Sequence, residues 1–471
     1  MKEYLASEFI VEEEIRASMA EGLEKVKDPE NVRKILDKAK TCVGLTHREA
    51  AILLNIEDKD ILEEMYSTAK IIKETIYGKR IVLFAPLYVS SYCVNGCTYC
   101  GYKCSNNSFT RKKLTMDEIE KEIIVLEGMG HKRIVIEAGE DLANCSIDYL
   151  IECLNKIYSV KFDNGSIRRI NINIAATTVE NYKRLKDADI GTYVLFQETY
   201  NKEIYEKYHP MGPKHNYNYH TTAMDRAMEA GIGDVGIGVL YGLYDYQYET
   251  IGMLMHAEHL EEAFGVGPHT LSVPRLRAAE GVNIKDFPHL VNDEKFKKLV
   301  AVLRMAVPYT GMMLSTREEP GYREEVLALG ISQLSAGSCT GVGGYSEEHG
   351  INKSDEKPQF EVGDHRSPME VVKELCESGY VPSYCTACYR EGRTGDRFMP
   401  LAKSGQIHNI CQPNALLTFK EYLLDYADDE LKELGEKVIE QGLKDIPKDV
   451  ARKAAIEKLK RIEAGERDLR F

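Results

Sequence analysis

Three cysteines with the spacing CxxxCxxC stand out in the first quarter of the chain: Cys93, Cys97 and Cys100. They follow the apolar run 81–89, which predicts a buried strand that leads into the cysteine loop. Three thiolates on one loop suit a four-iron four-sulfur (4Fe-4S) cluster whose remaining iron stays open for a small molecule. A zinc site or a closed cluster is the alternative, because Cys104 follows closely as a possible fourth ligand.

A second cysteine triad lies far along the chain. Cys385 and Cys388 form a CxxC pair, and Cys411 follows after 22 intervening residues. Zinc ribbons share the CxxC half of this pattern but need a second pair, which is missing here. His408 offers a Cys₃His zinc site as the alternative to a second 4Fe-4S cluster with an open iron.

Composition narrows the class of protein. Twelve cysteines in 471 residues are too few for a disulfide scaffold, and six of them fall into the two triads. The formal net charge of −14 and the lack of a basic stripe predict no nucleic-acid partner. No apolar run is long enough to span a bilayer, and the N-terminus lacks a signal pattern. We therefore expect a cytoplasmic protein that does not bind a membrane.

The order of predicted elements indicates an α/β fold in three parts. Residues 1–78 have helical periodicity, and residues 79–340 alternate β-rich runs with amphipathic helices. The eight runs are 81–89, 133–140, 168–175, 192–199, 234–242, 270–277, 311–318 and 331–338. Eight such units predict a closed (β/α)8 barrel with its chemistry at the C-terminal ends of the strands. Residues 341–471 are then a mostly helical domain that carries the second triad.

The first triad, with the aromatic Tyr99 before its last cysteine, resembles the signature of the radical S-adenosylmethionine (SAM) superfamily. That resemblance implies that SAM binds the open iron of the first cluster. The implied cofactor contacts are Tyr99, the tripeptide Ala138-Gly139-Glu140 after strand two, Glu198 at the end of strand four and Gly238 in strand five. Read alone, Ala-Gly-Glu is also a plain turn, and a glycine inside a strand also marks close packing of the barrel wall.

Strand seven ends in Ser315-Thr316-Arg317. An arginine at the mouth of a barrel can hold a substrate carboxylate with its planar fork, and the two hydroxyl groups can orient the same carboxylate. The alternative is an ion pair of Arg317 with Glu318 or Glu319. A full barrel with this Ser-Thr-Arg-Glu segment and a C-terminal CxxC…C triad resembles the radical SAM tyrosine lyases that mature di-iron (FeFe) hydrogenase.

This closer resemblance implies a reaction. L-Tyrosine would be cleaved at its Cα–Cβ bond to p-cresol and dehydroglycine, and dehydroglycine would yield carbon monoxide and cyanide. The second cluster, with an added iron, would assemble an iron carbonyl cyanide unit with L-cysteine. A reducing electron donor and other hydrogenase maturation proteins are the implied partners. No catalytic residue is assigned beyond the clusters and SAM.

His269 is the expected ligand of the added iron, because it lies just before strand six and so at the opposite mouth from the first triad. His256 and His259 on the preceding helix compete for this role. Two other functions stay open: a dehydroglycine synthase for thiazole synthesis, and an iron–sulfur scaffold or electron-transfer protein. Cys104 stands where the family is expected to have a basic residue. Two interpretations stay open: a free thiol, or an adventitious cluster ligand when SAM is absent.

Overall fold

A computed structural model of the chain describes residues 4–108, 110–351 and 357–471. Its strands are β1 Arg80–Ser90, β2 Arg133–Ala138, β3 Arg169–Asn173, β4 Tyr193–Glu198, β5 Val235–Val239, β6 Thr270–Ser272, β7 Gly311–Leu314, β8 Gln333–Ser335 and β9 Val381–Ser383. The helices of the first half are α1 Glu12–Lys25, α2 Pro29–Lys40, α3 His47–Leu54, α4 Lys59–Tyr77, α5 Met116–Gly128, α6 Ile147–Ser159, α7 Val179–Asp187, α8 Lys202–Tyr208, α9 Tyr217–Thr221 and α10 Ala223–Glu229. Those of the second half are α11 Tyr246–Phe264, α12 Asp293–Ala306, α13 Tyr322–Leu329, α14 Gly344–Glu348, α15 Pro368–Glu377, α16 Ala387–Arg390, α17 Phe398–Lys403, α18 Cys411–Asp425, α19 Asp429–Lys444 and α20 Asp449–Glu463.

The strands β1 to β8 form a closed parallel barrel, which confirms the predicted α/β fold class. Each strand pairs with the next along the chain, and β1 closes the ring by pairing with both β8 and β2. Helical crossovers on the outside make this parallel order possible.

Strand β1 is the longest strand, with eleven residues. Its first residues extend past the barrel and pair in parallel with β9, so that Arg80 lies opposite Val381. Strand β9 was not predicted, because it has only three residues and contains Pro382, which is poorly suited to a strand interior.

Two helices, α3 and α5, begin with a capping box. The hydroxyl groups of Thr46 and Thr115 accept backbone N–H bonds from Glu49 and Glu118, and both glutamates bond back to the capping residue. Helices α1 to α4 pack against one another and against α11 and α12, on the outside of the barrel.

The chain after the barrel reaches both of its mouths. Residues 357–364 return to the C-terminal mouth, where the backbone N–H of Gly363 donates to the carbonyl of Thr316 at 2.8 Å. Strand β9 and helix α18 contact each other at the N-terminal mouth, where Arg80 Nη1 donates to Gln412 Oε1 at 3.3 Å. Within the described ranges, no helix is long and apolar enough to cross a membrane.

Candidate metal centres at the two mouths of the barrel

The first cysteine triad lines a cavity of about 210 Å³ at the C-terminal mouth. Ends of several strands and the residues that follow them surround this cavity. The sequence-predicted residues among its lining are Cys93, Cys97, Cys100, Tyr99, Ala138, Gly139, Glu140, Glu198, Ser315, Thr316 and Arg317. The fold therefore brings together the first triad, the proposed SAM contacts and the proposed substrate contacts, with Gly238 as the exception.

The cysteine loop is held by neighbours that the sequence analysis did not identify. Asn95 Nδ2 lies 3.8 Å from Cys93 Sγ and donates to Glu140 at 2.6 Å. Gln359 Nε2 lies 3.6 Å from Cys100 Sγ. Burial raises the pKa of the Cys100 thiol to about 11 and also raises the pKa of Cys97. These thiols therefore need the positive charge of a metal to ionise at neutral pH.

Cys104 lies beside this loop but does not line the cavity. Its Sγ is 3.8 Å from Met211 Sδ. This position agrees with a free thiol rather than with a fourth ligand.

Gly139 fits against the cysteine loop because it has no side chain. A Cβ atom at this position would lie 3.0 Å from Cys93 Cβ and far inside the van der Waals distance of the Tyr92 carbonyl oxygen. The loop and the turn are also joined by a hydrogen bond from Val94 N to the carbonyl of Glu140 at 2.8 Å. The turn after β2 therefore positions Glu140 directly beside the first triad.

Glu198 forms a buried ion pair with Lys214, whose Nζ donates to its carboxylate at 2.7 Å. Glu198 has a φ of 69°, a left-handed conformation that costs energy for a residue with a side chain. Such strain is often found where a side chain must be aimed at a ligand. Tyr99 bonds through its hydroxyl group to His209 Nε2 at 2.8 Å, and the centroid of its ring lies 5.9 Å from Lys214 Nζ.

Gly238 lies in the barrel wall rather than along the cavity. A Cβ atom there would lie 2.8 Å from both Phe196 Cδ1 and the Ser272 carbonyl oxygen. The glycine therefore permits close packing between β4, β5 and β6, which is the alternative left open by the sequence.

Arg317 lies over the ring of Phe360, with its guanidinium carbon 3.3 Å from the ring centroid. Glu318 is not its partner, because that buried carboxylate binds Arg275 and Arg277 instead. Glu319 is exposed. Within the described part of the chain Arg317 has no ion pair, and burial lowers its pKa. This half-buried cation could therefore pair with the carboxylate of a ligand.

Glu137 is a further carboxyl group that lines the same cavity, and no role was predicted for it. Burial raises its pKa to about 8, although Asn173 and the charge of Arg317 act in the opposite direction. Arg133, Val135 and Glu137 are alternate residues of β2. Alternate side chains of a strand point to the same face, so all three face the barrel interior. This alternation was visible in the sequence, but it does not reveal which inward side chain meets a ligand.

The second triad lines a smaller cavity of about 100 Å³ at the N-terminal mouth. Its walls include Cys385, Cys388 and Cys411 together with His269 and the first residues of β1 and β2. Phe84, Val135 and Met313 form an apolar cluster in the barrel interior between the two cavities. The two triads therefore lie at opposite ends of one barrel.

His269 is the histidine that lines this second cavity. Its Nδ1 lies 3.8 Å from Asp234 Oδ2, while a backbone N–H from Gly395 binds the other oxygen of Asp234 at 3.0 Å. The competing histidines of α11 lie elsewhere, since His256 bonds to Tyr200 and His259 to Asp225. Their side chains do not line the cavity.

The zinc alternative for the second triad loses its fourth ligand. His408 does not line the cavity, because its Nε2 bonds to the carbonyl of Thr75 at 2.6 Å. Among the residues that the structure describes, no three His, Cys, Asp or Glu side chains converge on a single-ion site. A cluster spreads its thiolate ligands over several iron atoms, so it does not require such convergence. Burial raises the pKa of Cys385 to about 12, and the bond with Cys388 lowers that of Cys411.

Comparisons with known proteins agree with this arrangement. The Radical SAM superfamily model matches residues 87–257, and the Biotin and Thiamin Synthesis associated domain matches residues 272–381. The 2-iminoacetate synthase of Salmonella typhimurium is 30% identical over 351 residues, which cover 74% of this chain and 89% of that protein. A crystal structure of HydG, a maturase of the FeFe-hydrogenase, is 63% identical with a TM-score of 0.94, and the match covers 98% of this chain and 100% of that one. HydG from Carboxydothermus hydrogenoformans is 40% identical with a TM-score of 0.83, over 97% and 100% of the two chains.

The chain belongs to the HydG family of FeFe-hydrogenase maturases. The resemblance drawn from the sequence motifs is therefore confirmed, and this member of the HydG family is a radical SAM enzyme. Its superfamily implies a 4Fe-4S cluster and SAM. The three thiols that line the cavity at the C-terminal mouth are a donor set that fits such a cluster. The second triad of this HydG-family chain lies beyond residue 381 and thus outside both matched models.

Proposed function

We propose that this chain cleaves L-tyrosine at its Cα–Cβ bond to p-cresol and dehydroglycine, and converts dehydroglycine to carbon monoxide and cyanide. The product for hydrogenase maturation is an iron carbonyl cyanide unit built with L-cysteine. The observation that carries this proposal is the pair of thiol triads at opposite mouths of one barrel, the first beside Arg317 and the second beside His269.

In the first cavity, the protein binds and orients both reactants. Cys93, Cys97 and Cys100 would hold the cluster, and SAM bound there would supply the radical chemistry that removes a hydrogen atom from the amino group of tyrosine. Glu140, already fixed by Asn95, is suited to accept bonds from the ammonium group of SAM.

The remaining contacts of this cavity divide between cofactor and substrate. Tyr99, Ala138, Gly139 and Glu198 would surround SAM. Arg317 would bind the tyrosine carboxylate with both arms of its guanidinium group. Ser315 and Thr316 lie next to Arg317 on the cavity wall and would orient the same carboxylate.

In the second cavity, Cys385, Cys388 and Cys411 would hold the second 4Fe-4S cluster. His269 would bind the added iron through Nε2, because Asp234 faces its Nδ1. A carboxylate behind a histidine fixes the ring orientation of many metal-binding histidines. The added iron is part of the cargo that leaves with its ligands. An external electron donor must supply the reducing electrons.

The test is anaerobic reconstitution with iron and sulfide, followed by incubation with SAM, a reductant, L-cysteine and isotopically labelled L-tyrosine. We expect labelled p-cresol, carbon monoxide and cyanide together, and 5′-deoxyadenosine in step with p-cresol. A Cys97→Ser variant is the control and should form none of the four. Absence of 5′-deoxyadenosine and p-cresol from the wild-type protein would refute the lyase proposal.

A second candidate is a dehydroglycine synthase, which is favoured by the 30% identity to a 2-iminoacetate synthase. This function needs only the first cavity, so it leaves the second triad without a role. The two candidates differ in the same experiment. Labelled p-cresol with no labelled carbon monoxide or cyanide would support the synthase.

A further inference from the structure

Two arginines of the second cavity, Arg80 and Arg133, are buried without a carboxylate partner among the described residues. Arg80 is 6% exposed to solvent and Arg133 is 4% exposed. The hydrogen-bond acceptors of both guanidinium groups are neutral: Gln412 for Arg80, and Gln333 and Tyr389 for Arg133. The Nε of Arg133 has no partner at all within the described chain. A buried guanidinium group without an anion is costly, so this cavity is built to contain negative charge.

The other strongly buried arginines differ from this pair. Arg275 binds Glu318, Arg323 binds Asp364, and Arg169 binds Asp189. Arg304 donates to the backbone carbonyls of residues 308, 310 and 330. Apart from Arg317 in the first cavity, the arginines named here that have neither an ion pair nor a backbone acceptor among the described residues are Arg80 and Arg133.

The groups that line the cavity supply only part of the negative charge needed to neutralise Arg80 and Arg133. Its lining contains no Asp or Glu, and the remaining polar groups are His269, hydroxyl groups, an amide and the three thiols. The nearby Asp234 is directed at Gly395 and His269. An iron–sulfur core bound by three thiolates has a small net negative charge, because the core itself is positive. In the oxidised state of the cluster this charge is smaller than that of two guanidinium groups, which can then bind one more small anion.

We propose that Arg80 and Arg133 form a carboxylate site, which holds the α-carboxylate of a thiol-bearing amino acid beside the second triad. This inference rests on the proposed function, because it specifies how that function recognises L-cysteine. The planar donor forks of arginine match a carboxylate in geometry. Both arginines are the first residues of neighbouring barrel strands, so a rigid element positions each of them. The lining offers no anion for the ammonium group, so recognition depends on the carboxylate and the thiol.

The test compares three thiols that differ in one group each. L-Cysteine has a carboxylate and an amino group, 3-mercaptopropionate lacks the amino group, and cysteamine lacks the carboxylate. Isothermal titration calorimetry under anaerobic conditions gives the dissociation constant of each thiol for the reconstituted protein. We expect the two carboxylate-bearing thiols to bind at least about tenfold more tightly than cysteamine.

The variants Arg80→Gln and Arg133→Gln should abolish this preference, and the Lys variants should retain part of it because they keep the charge but lose the fork. Arg169→Gln is the matched control, since Arg169 also lies over Tyr389 but already binds Asp189. This control should keep the wild-type preference. Circular dichroism and iron content show which variants are folded and loaded.

Two results would overturn the proposal: equal affinity of the wild-type protein for cysteamine and L-cysteine, or full retention of the preference in both Gln variants. The second result would mean that the arginines serve only the charge of the cluster. A wild-type protein without a second cluster would count against the proposed function instead. Calorimetry would still report the carboxylate preference and its dependence on Arg80 and Arg133 in that case.

Discussion

At the scale of single residues, the environment of Arg317 determines what the first cavity can bind. The guanidinium group is stacked on Phe360, and the acidic residue next in sequence, Glu318, is occupied by two other arginines. Its charge is thus buried and available to a ligand. The stacking leaves the edge of the guanidinium plane, where its N–H groups point, open to a carboxylate.

Replacing Arg317 by lysine keeps the charge but removes the two parallel hydrogen bonds to the substrate carboxylate. We expect the KM for tyrosine to rise by about tenfold or more, because charge-assisted bidentate bonds contribute on this scale. Formation of 5′-deoxyadenosine without tyrosine should stay at the wild-type level. Steady-state kinetics of p-cresol formation give KM and kcat separately, and an unchanged KM would contradict the assignment.

The cysteine spacing and the strand-end position of Arg317 were predictable from the sequence, because both depend on residues that are close together in the chain. Lys214, Asn95 and Gln359 were not predicted as parts of the site. Lys214 reaches Glu198 from a turn after α8, and Gln359 reaches Cys100 from a segment beyond the barrel. Such contacts depend on tertiary folding, and no local spacing indicates them.

At the scale of secondary-structure elements, the turn after β2 packs closely against the cysteine loop after β1. Position 139 in this turn tolerates only glycine. All eight predicted barrel strands are present, but most end earlier than predicted. The residues that follow them, such as those of the 139–140 and 315–317 segments, line the first cavity instead. Residues that line a partly apolar cavity have the same sequence pattern as residues of a strand. The C-terminal ends of the strands could therefore not be predicted accurately.

A Gly139→Ala substitution should displace the cysteine loop, since the new methyl group would overlap the Tyr92 carbonyl oxygen. We expect less iron in the first cluster and slower SAM cleavage, with no change at the second cluster. Electron paramagnetic resonance of the reduced protein reports both clusters. Gly128→Ala is the matched control, because it lies in α5 with open space around it and should be neutral or slightly stabilising. Equal effects of the two substitutions would contradict the packing argument.

Helix α4 contains a buried lysine whose charge opposes folding. Lys73 Nζ has no hydrogen-bond partner among the described residues and lies 4.2 Å from the centroid of the Tyr380 ring. Burial, together with the charge of Arg304, lowers the pKa of Lys73 to about 7. In the unfolded chain the pKa is near its ordinary value of 10.5, so unfolding takes up a proton between these two values.

Stability should therefore rise with pH through this window, by up to about 2–3 kcal/mol between pH 7 and pH 9. A Lys73→Met variant lacks the titrating group, so its contribution should not change with pH. We expect it to be more stable than wild type at pH 7 and to lose this advantage towards pH 10. Melting temperatures measured across the pH range test this, and parallel curves for the two proteins would contradict it.

At the scale of the whole molecule, the barrel keeps its two triads apart. Strand ends and their loops surround the first triad, whereas strand starts, β9 and the C-terminal helices surround the second. The general position of the first triad followed from the order of the predicted elements, whereas that of the second triad was only a hypothesis, because the sequence does not show where the C-terminal domain packs. The placement of His269 also followed, but the seating of residues 357–364 on the first mouth did not, because that segment is irregular.

Because the two triads lie at opposite mouths of the barrel, we expect a substitution in one of them to leave the activity of the other unchanged. A Cys388→Ser variant should lose the second cluster together with carbon monoxide and cyanide bound to iron. It should still cleave SAM and form p-cresol at a rate within about twofold of wild type, because substitutions at distant sites are usually independent. Product analysis and iron content test this expectation. A parallel loss of p-cresol in a folded Cys388→Ser protein would show that the two sites act as one.

Strand β1 begins at Arg80 in the second cavity and ends just before the cysteine loop of the first. Its ten residue steps span roughly 33 Å in extended backbone. The strand is hydrogen-bonded to β2, β8 and β9, so it cannot shorten or bend without breaking the ring. Strand β1 thus fixes the distance between the two proposed metal centres. A change of oxidation state or ligand at one centre cannot pull the other nearer, and whatever passes between them must travel the distance by itself.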